Sequence, residues 1–359
     1  MMMRRGVFLM LIGVLCTALS ALSVPIHAQS GGLSRLLRQT PSTTAARTII
    51  WFGSLGALER TLSATVSSRE DVDRLPLTQR ATYLSEIGRL VYYSDYSGLA
   101  RAPEWLATFG INSFAIEQEL TVGRSPDQVA ILEGNFDVAS ITESLQRLGY
   151  QTQDLNGNTI FAIGNDNSSP GGSIGNLAAD KLNRLALSAN RIIAAASTAA
   201  LAPALSPTPS LADDPIYGAL SAALDARGAL ISAVLFDGAY AAANLIGNTP
   251  SAPNGLAAYQ AGGIAYYRSG TTRAVTIALV YADANTAAQA GGVLVARLGS
   301  YVSPEQPERP LFEGWQFSTD VQQINGVPVL MVSANMPAES DVAWVTLVQE
   351  RDLGFLRPQ

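Results

Sequence analysis

A chain of 359 residues with 29 acidic against 23 basic side chains carries a net charge of −6, and its basic residues are scattered. That excludes the basic stripe on which nucleic acid or an anionic lipid surface depends. A composition that is 48% hydrophobic provides for a sizeable core, and the length predicts two domains or one large duplicated one. Lys181 is the single lysine, and no GxSxG, Walker, Rossmann, HExxH or CxxC pattern occurs, so phosphate cradles and dinucleotide sites are not expected.

Residues 1–28 read as a secretory signal: Arg4 and Arg5, an apolar run over 6–24, then Ile26-His27-Ala28 as a cleavage site. The chain is therefore expected to be exported, to the periplasm, the cell envelope or the medium. An uncleaved run would instead anchor it to a membrane, its one expected route to a bilayer. Cys16 hints at a lipoprotein signal, but Leu15 stands where a small residue is needed. The only cysteine and the only histidine, Cys16 and His27, both lie in this segment. Its removal takes the net charge to −8. It also leaves no disulfide, thiolate nucleophile, histidine base or usual zinc ligand, so no catalytic residue, metal or cofactor is predicted.

Residues 29–48 are rich in Ser, Thr and Gly and read as a flexible leader. Over 49–62, Ile50, Trp51, Leu55, Leu58 and Leu62 recur near helical spacing, predicting a helix docked on the core. Residues 112–122 alternate as a half-buried strand. Val129, Ala130, Ile131 and Leu132 form an apolar run of the kind buried on both sheet faces. Asp137 stands as a helix N-cap before Val138, Ile141, Leu145 and Leu148, and Gly149 closes that helix. Two strands joined through Asn156-Gly157 follow, a tight-turn dipeptide. The unit is ββαββ.

Residues 165–175 read as a linker; Asn165, Asp166 and Asn167 do not match a calcium loop. The middle segment is predicted as strands over 182–188 and 191–197, an irregular proline-rich stretch over 202–215, a helix over 216–225 and a strand over 229–236. A hairpin about Ser269-Gly270 then opens a second unit. Asp283 answers Asp137, a helix over 285–298 ends Arg297-Leu298-Gly299 as the first ends Arg147-Leu148-Gly149, and Asn325-Gly326 answers Asn156-Gly157. These matches predict an internal duplication. The interior pair Gly291-Gly292 costs about 1 kcal/mol per glycine against alanine, offset by close packing on the sheet or expressed as a kink.

The expected fold is α+β: two ββαββ-type modules at 49–165 and 258–359, with antiparallel sheets covered by helices on one side, around a less regular segment at 166–257. The aromatic-dense stretch 84–110 supplies the candidate ligand-binding residues Tyr92, Tyr93, Tyr96 and Trp105, whose rings could stack on a sugar beside Asp95 and Glu104. Among carboxylates, Glu117 and Glu119 read as a solvated strand face, Asp213 and Asp214 as helix caps, and Glu133 as a rim residue at a strand end. The expected role is non-enzymatic: binding or scaffolding, with a protein, a glycan or an apolar ligand between the modules as partner. A carbohydrate-active hydrolase with a carboxylate pair, or an envelope protein held by an uncleaved segment, are the alternatives. Intact mass from the native host checks the address: a chain beginning at Gln29 is expected, and one beginning near Met1 contradicts cleavage.

Overall fold

Five residues, Ile49–Gly53, decide how the rest of the chain is arranged. Two isoleucines, a tryptophan and a phenylalanine in succession favour a pleated, two-sided surface over a helix. The computed structural model, which describes residues 32–90, 98–246, 255–304, 306–337, 341–348 and 351–358, places them as a strand. The helix expected over 49–62 is thus corrected. Ser54 ends the strand and accepts a hydrogen bond from the Ala57 amide at 3.2 Å, so the helix begins only at Leu55.

In chain order the elements are α1 Gly32–Leu37, α2 Thr44–Thr48, β1 Ile49–Gly53, α3 Leu55–Leu62, α4 Arg69–Arg74, α5 Leu77–Ile87, α6 Gly98–Phe109, β2 Ile116–Val122, β3 Val129–Gly134 and α7 Val138–Arg147. There follow β4 Gln151–Leu155, β5 Asn158–Ala162, α8 Gly172–Ala178, β6 Arg184–Ser188, β7 Arg191–Ala195, α9 Thr198–Leu205, α10 Pro215–Asp225 and β8 Leu230–Asp237. The last are α11 Gly238–Asn244, β9 Ala261–Ser269, β10 Thr272–Val280, α12 Ala284–Ser300, β11 Phe317–Ile324, β12 Val327–Asn335 and α13 Asp341–Val348. The fold is α+β. Among the described residues twelve strands form one antiparallel sheet, ordered β11-β12-β10-β9-β8-β1-β2-β3-β7-β6-β5-β4.

β1 is the seam of that sheet. It pairs on one edge with β2, from Ile50 opposite Val122 to Gly53 opposite Glu119, and on the other with β8, from Ile49 opposite Phe236 to Gly53 opposite Ser232. Both expected units have the hairpin-helix-hairpin order, with Asp137 and Asp283 capping their helices and positive φ at both residues of each Asn-Gly turn. Their pairing differs. β12 docks directly on β10, whereas β3 takes β7 as its neighbour and the β4–β5 hairpin lies beyond β6. The middle segment is therefore part of the sheet.

Helices cover both faces of this sheet, not one. Ile50, Phe52, Leu120, Val122, Leu235 and Val280 pack on one face with residues of α1, α9 and α10. The opposite face is covered in two parts. Ile49, Phe236, Ile264, Tyr266 and Leu279 lie with α3, α5, α12 and α13, while Ala130, Leu132, Ile192 and Leu185 lie with α6, α7 and α8. The reason is the near-continuous burial of β8 and β9, in which both parities of the strand are apolar.

Other expectations are corrected in the same way. From residue 32 onward the supposed leader is structured, because Leu33, Leu36 and Leu37 share one helix face and are fully buried. The proline-rich stretch begins later than expected, since α9 runs through Pro203 to Leu205. Residues 165–175 are pinned: Asp166 pairs with Arg184 at 2.6 Å and accepts the Thr198 amide, and α8 starts at Gly172. In α12 a Cβ on Gly291 would stand 3.1 Å from Leu330 Cδ1, whereas Gly292 faces open space, so close packing accounts for the first glycine.

A buried ionic cluster ties the helices to the sheet. Glu86 of α5 receives the Tyr266 hydroxyl at 2.6 Å, Arg268 Nη1 at 2.6 Å and Arg89 Nη1 at 3.1 Å. Trp344 of α13 donates its indole N–H to the Arg89 carbonyl at 3.0 Å. Because Ile50 is fully buried at the seam, Ile50→Ala is expected to destabilise the whole chain by about 2–5 kcal/mol. Urea unfolding followed by both circular dichroism and tryptophan fluorescence checks this, with coincident shifts in the two signals.

Candidate functional site

Of the four aromatic candidates, Trp105 alone falls among the described residues. Tyr92, Tyr93 and Tyr96 lie outside the described residues. Trp105 is corrected: it sits four positions before Phe109 on the inward stripe of α6, 3% exposed, with its ring 5.1 Å from that of Phe109 and in one cluster with Ile141 and Leu145.

The carboxylates divide. Asp213 and Asp214 are caps, as expected: Asp213 accepts the Ser210 amide at 2.9 Å, and Asp214 accepts the Ile216 amide at 2.9 Å while pairing with Arg47 at 2.8 Å. Hydrogen bonds from Ser210 hold Asp213 below the usual carboxylate range. Glu133 is a tie between elements: it accepts Gln39 Nε2 at 2.6 Å and pairs with Arg35 at 2.6 Å, fastening α1 to β3. Glu117 is exposed as expected, but Glu119 is fully buried and accepts the Thr121 hydroxyl at 3.2 Å. The solvated-face reading of Glu119 is thereby corrected. A register shift between Ile116 and Gln118 breaks the regular alternation between exposed Glu117 and buried Glu119.

The site the fold does build lies where β1 ends. Strand β1 stops at Gly53, β8 begins at Leu230, and the chain between α10 and β8 turns through Gly228 and Ala229. These ends, with the start of α1 and one side of α3, border a half-open cavity of about 380 Å³ lined by Gly32, Phe52, Ser54, Ala57, Arg60, Thr61, Gln118, Asp225, Gly228, Ala229 and Leu230. It lies at the junction of the two halves of the sheet. Phe52, Ala57 and Leu230 give it an apolar floor. The polar residues of the lining are Ser54, Arg60, Thr61, Gln118 and Asp225.

Asp225 is unusual for its place. It ends α10, where the helix dipole disfavours negative charge. Its Oδ2 accepts the Ser34 amide at 2.8 Å, so it binds the first turn of α1. Burial nonetheless raises its pKa above the ordinary carboxylate value, against the lowering by the Ser34 hydroxyl and amide, the Leu33 amide and the charge of Arg38. Beside the cavity, Glu59 of α3 accepts the Tyr83 hydroxyl at 3.0 Å. Burial pushes Glu59 up to about 7; the Glu117 charge adds to this, and hydrogen bonds from Tyr83 and Val66 and the charge of the neighbouring Arg60 oppose it.

Trp105 does not line the cavity, which among the described residues holds one carboxylate. A glycosidase needs two carboxyl groups facing each other about 5–10 Å apart, so the geometry gives the hydrolase no support. Among the described residues no group of three metal-ligating side chains comes together, and no helix is long and apolar enough to cross a membrane.

No protein-family model matches the chain, and no curated protein matches it. Three solved structures, crystal forms I, III and IV of TP0453, are similar to it at TM-scores of 0.39, 0.39 and 0.37 with 9%, 9% and 10% identity. The likeness covers 86%, 86% and 84% of this chain and 95%, 95% and 93% of those chains. A resemblance at that level carries no function across.

Glu59 has a consequence for stability. Its folded pKa of about 7 lies above its ordinary 4.5, so the folded state holds its proton more tightly than the unfolded chain does. The resulting stabilisation is complete below about pH 4.5 and is lost as pH rises through 7. Glu59→Gln, which retains an acceptor for Tyr83, is expected to flatten that decline; melting temperatures of both proteins between pH 5 and 8 check it.

Proposed function

We propose that this is an exported, non-enzymatic binding protein whose ligand occupies the cavity at the end of β1. Export is supported by the basic start, apolar run and Ala28 cleavage site of residues 1–28. Binding is supported by one observation above the others: a cavity of about 380 Å³ with an apolar floor and a few convergent polar groups, placed at the junction of the two halves of the sheet. Ligand sites are commonly of about 300–1,000 Å³, apolar with a small number of placed polar groups, and lie at such junctions. The ligand that fits this space is small and partly polar.

Thr61 is half-buried on the wall of the cavity, and its only side-chain hydrogen bond among the described residues runs to the Leu58 carbonyl within its own helix. Thr61→Trp should therefore fill the space without removing a tertiary contact. A thermal-shift screen of the chain from Gln29 onward against small polar metabolites is expected to give a hit. A ligand at a hundred times its dissociation constant adds about 2.7 kcal/mol, a shift of a few degrees. The shift should vanish in Thr61→Trp while the unliganded melting temperature holds; a hit that survives the substitution places the ligand elsewhere.

A further inference from the structure

Two copies of one tight turn differ in how the glycine amide is held. Asn156-Gly157 joins β4 to β5 with φ of 55° and 79°, and Asn325-Gly326 joins β11 to β12 with φ of 52° and 81°. All four residues are exposed, and a Cβ on either glycine would meet nothing within 4 Å. In the first turn the Gly157 amide donates to Asp154 Oδ1 at 3.2 Å. Gln323 stands at the corresponding place in the second. There, among the described residues, the Gly326 amide donates to nothing and the Asn325 side chain makes no hydrogen bond.

We infer that Asn325 is a site of spontaneous modification by water, through ring closure onto Gly326, and that Asp154 protects the matching Asn156. The Gly326 nitrogen gives its proton to solvent base and attacks the side-chain carbonyl carbon of Asn325. A carbon–nitrogen bond forms, the bond to the side-chain nitrogen breaks, and that nitrogen leaves with a proton as ammonia. Water then opens the cyclic imide at either carbonyl, giving aspartate or isoaspartate, with no change of oxidation state. Glycine suits the step because it has no side chain to obstruct the approach of its nitrogen. The reacting form is the deprotonated amide, and a carboxylate accepting the N–H stabilises the protonated form and repels the anion. Asp154 does this at Gly157, whereas the neutral Gln323 leaves Gly326 open. Isoaspartate adds one atom to the main chain beside the Ile324–Val327 pair that closes the β11–β12 ladder, where the two-residue loop sets the register.

Peptide mapping by mass spectrometry tests this on the chain from Gln29 onward, kept folded in mildly alkaline buffer and sampled over time. The same chain in urea corrects for local sequence. Asn254, in a further Asn-Gly pair, lies outside the described residues, and its peptide is scored separately. Relative to urea, conversion at Asn156 is expected to lag that at Asn325 by roughly threefold or more, the effect of one solvent-exposed hydrogen bond to a charged group. Asp154→Ala should abolish the lag without changing Asn325. Because that variant can also loosen the β4–β5 turn, Gln323→Asp supplies the converse, and it should slow Asn325 by a similar factor. Equal rates in the folded chain, no conversion of Asn325, a lag that persists in Asp154→Ala, or an Asn325 rate untouched by Gln323→Asp overturns the inference.

Discussion

Everything in this fold depends on a five-residue strand being hydrogen-bonded on both edges. β1 contributes four cross-strand pairs to β2 and five to β8, and these are the contacts that make one sheet out of two halves. Its alternate residues also key both layers of helices, since Ile50 and Phe52 face one layer and Ile49 faces the other. A strand so placed cannot be lost locally: without it β2 and β8 would each become a bare edge in the middle of an apolar surface, the arrangement that invites aggregation. The true edges are built differently. β4 is exposed and reads Gln-Thr-Gln-Asp-Leu, and β11 carries exposed Ser318, Thr319 and Asp320.

The cavity follows from the same strand. β1 ends at Gly53, its partners continue past it, and Ser54 turns the chain into α3 instead of extending the sheet. The space left beyond the strand end is lined by whatever the neighbouring elements present there. Those groups are Phe52 from the last inward position of the strand, Gln118 from β2, Leu230 from β8 and Asp225 from the helix that precedes it. Asp225, a residue of the cavity lining, also supports the fold, because its carboxylate accepts the first-turn amide of α1. On the far side of the sheet the Glu86 cluster holds α5 against β9 with two guanidiniums and a phenol. Such a cluster contributes specificity of docking more than net stability.

Local chemistry was legible in the sequence and pairing was not. The Asp137 and Asp283 caps, the Asn156-Gly157 and Asn325-Gly326 turns, and the strands near 184–188, 191–195 and 230–237 were readable because each is decided within a few residues. The run Val129–Leu132 even announced burial on both faces, yet covering both faces needs α1 and α9, and neither was read as a core helix. The Leu33-Leu36-Leu37 stripe was hidden by a Ser- and Thr-rich surround, and β1 by a chance helical spacing across Ser54. Nothing local says that β7 lies beside β3, since that choice is made between whole strands. The cavity residues come from four separate stretches of chain, so no motif could mark them. One signal was present: an aspartate at the C-terminal end of a helix, where the dipole opposes it, and in the structure Asp225 holds the first turn of α1 from that position.

Hydrogen exchange read by mass spectrometry on the unliganded chain tests the central place of β1 most directly. If β1 joins the halves into one cooperative body, peptides spanning 49–53 exchange as slowly as those of β8 and β2, and all three become labelled together as denaturant is raised. If peptides spanning 49–53 exchange quickly while β8–β10 or β3–β7 remain protected, the halves are independent. The junction, and the cavity built on it, would then lose their foundation.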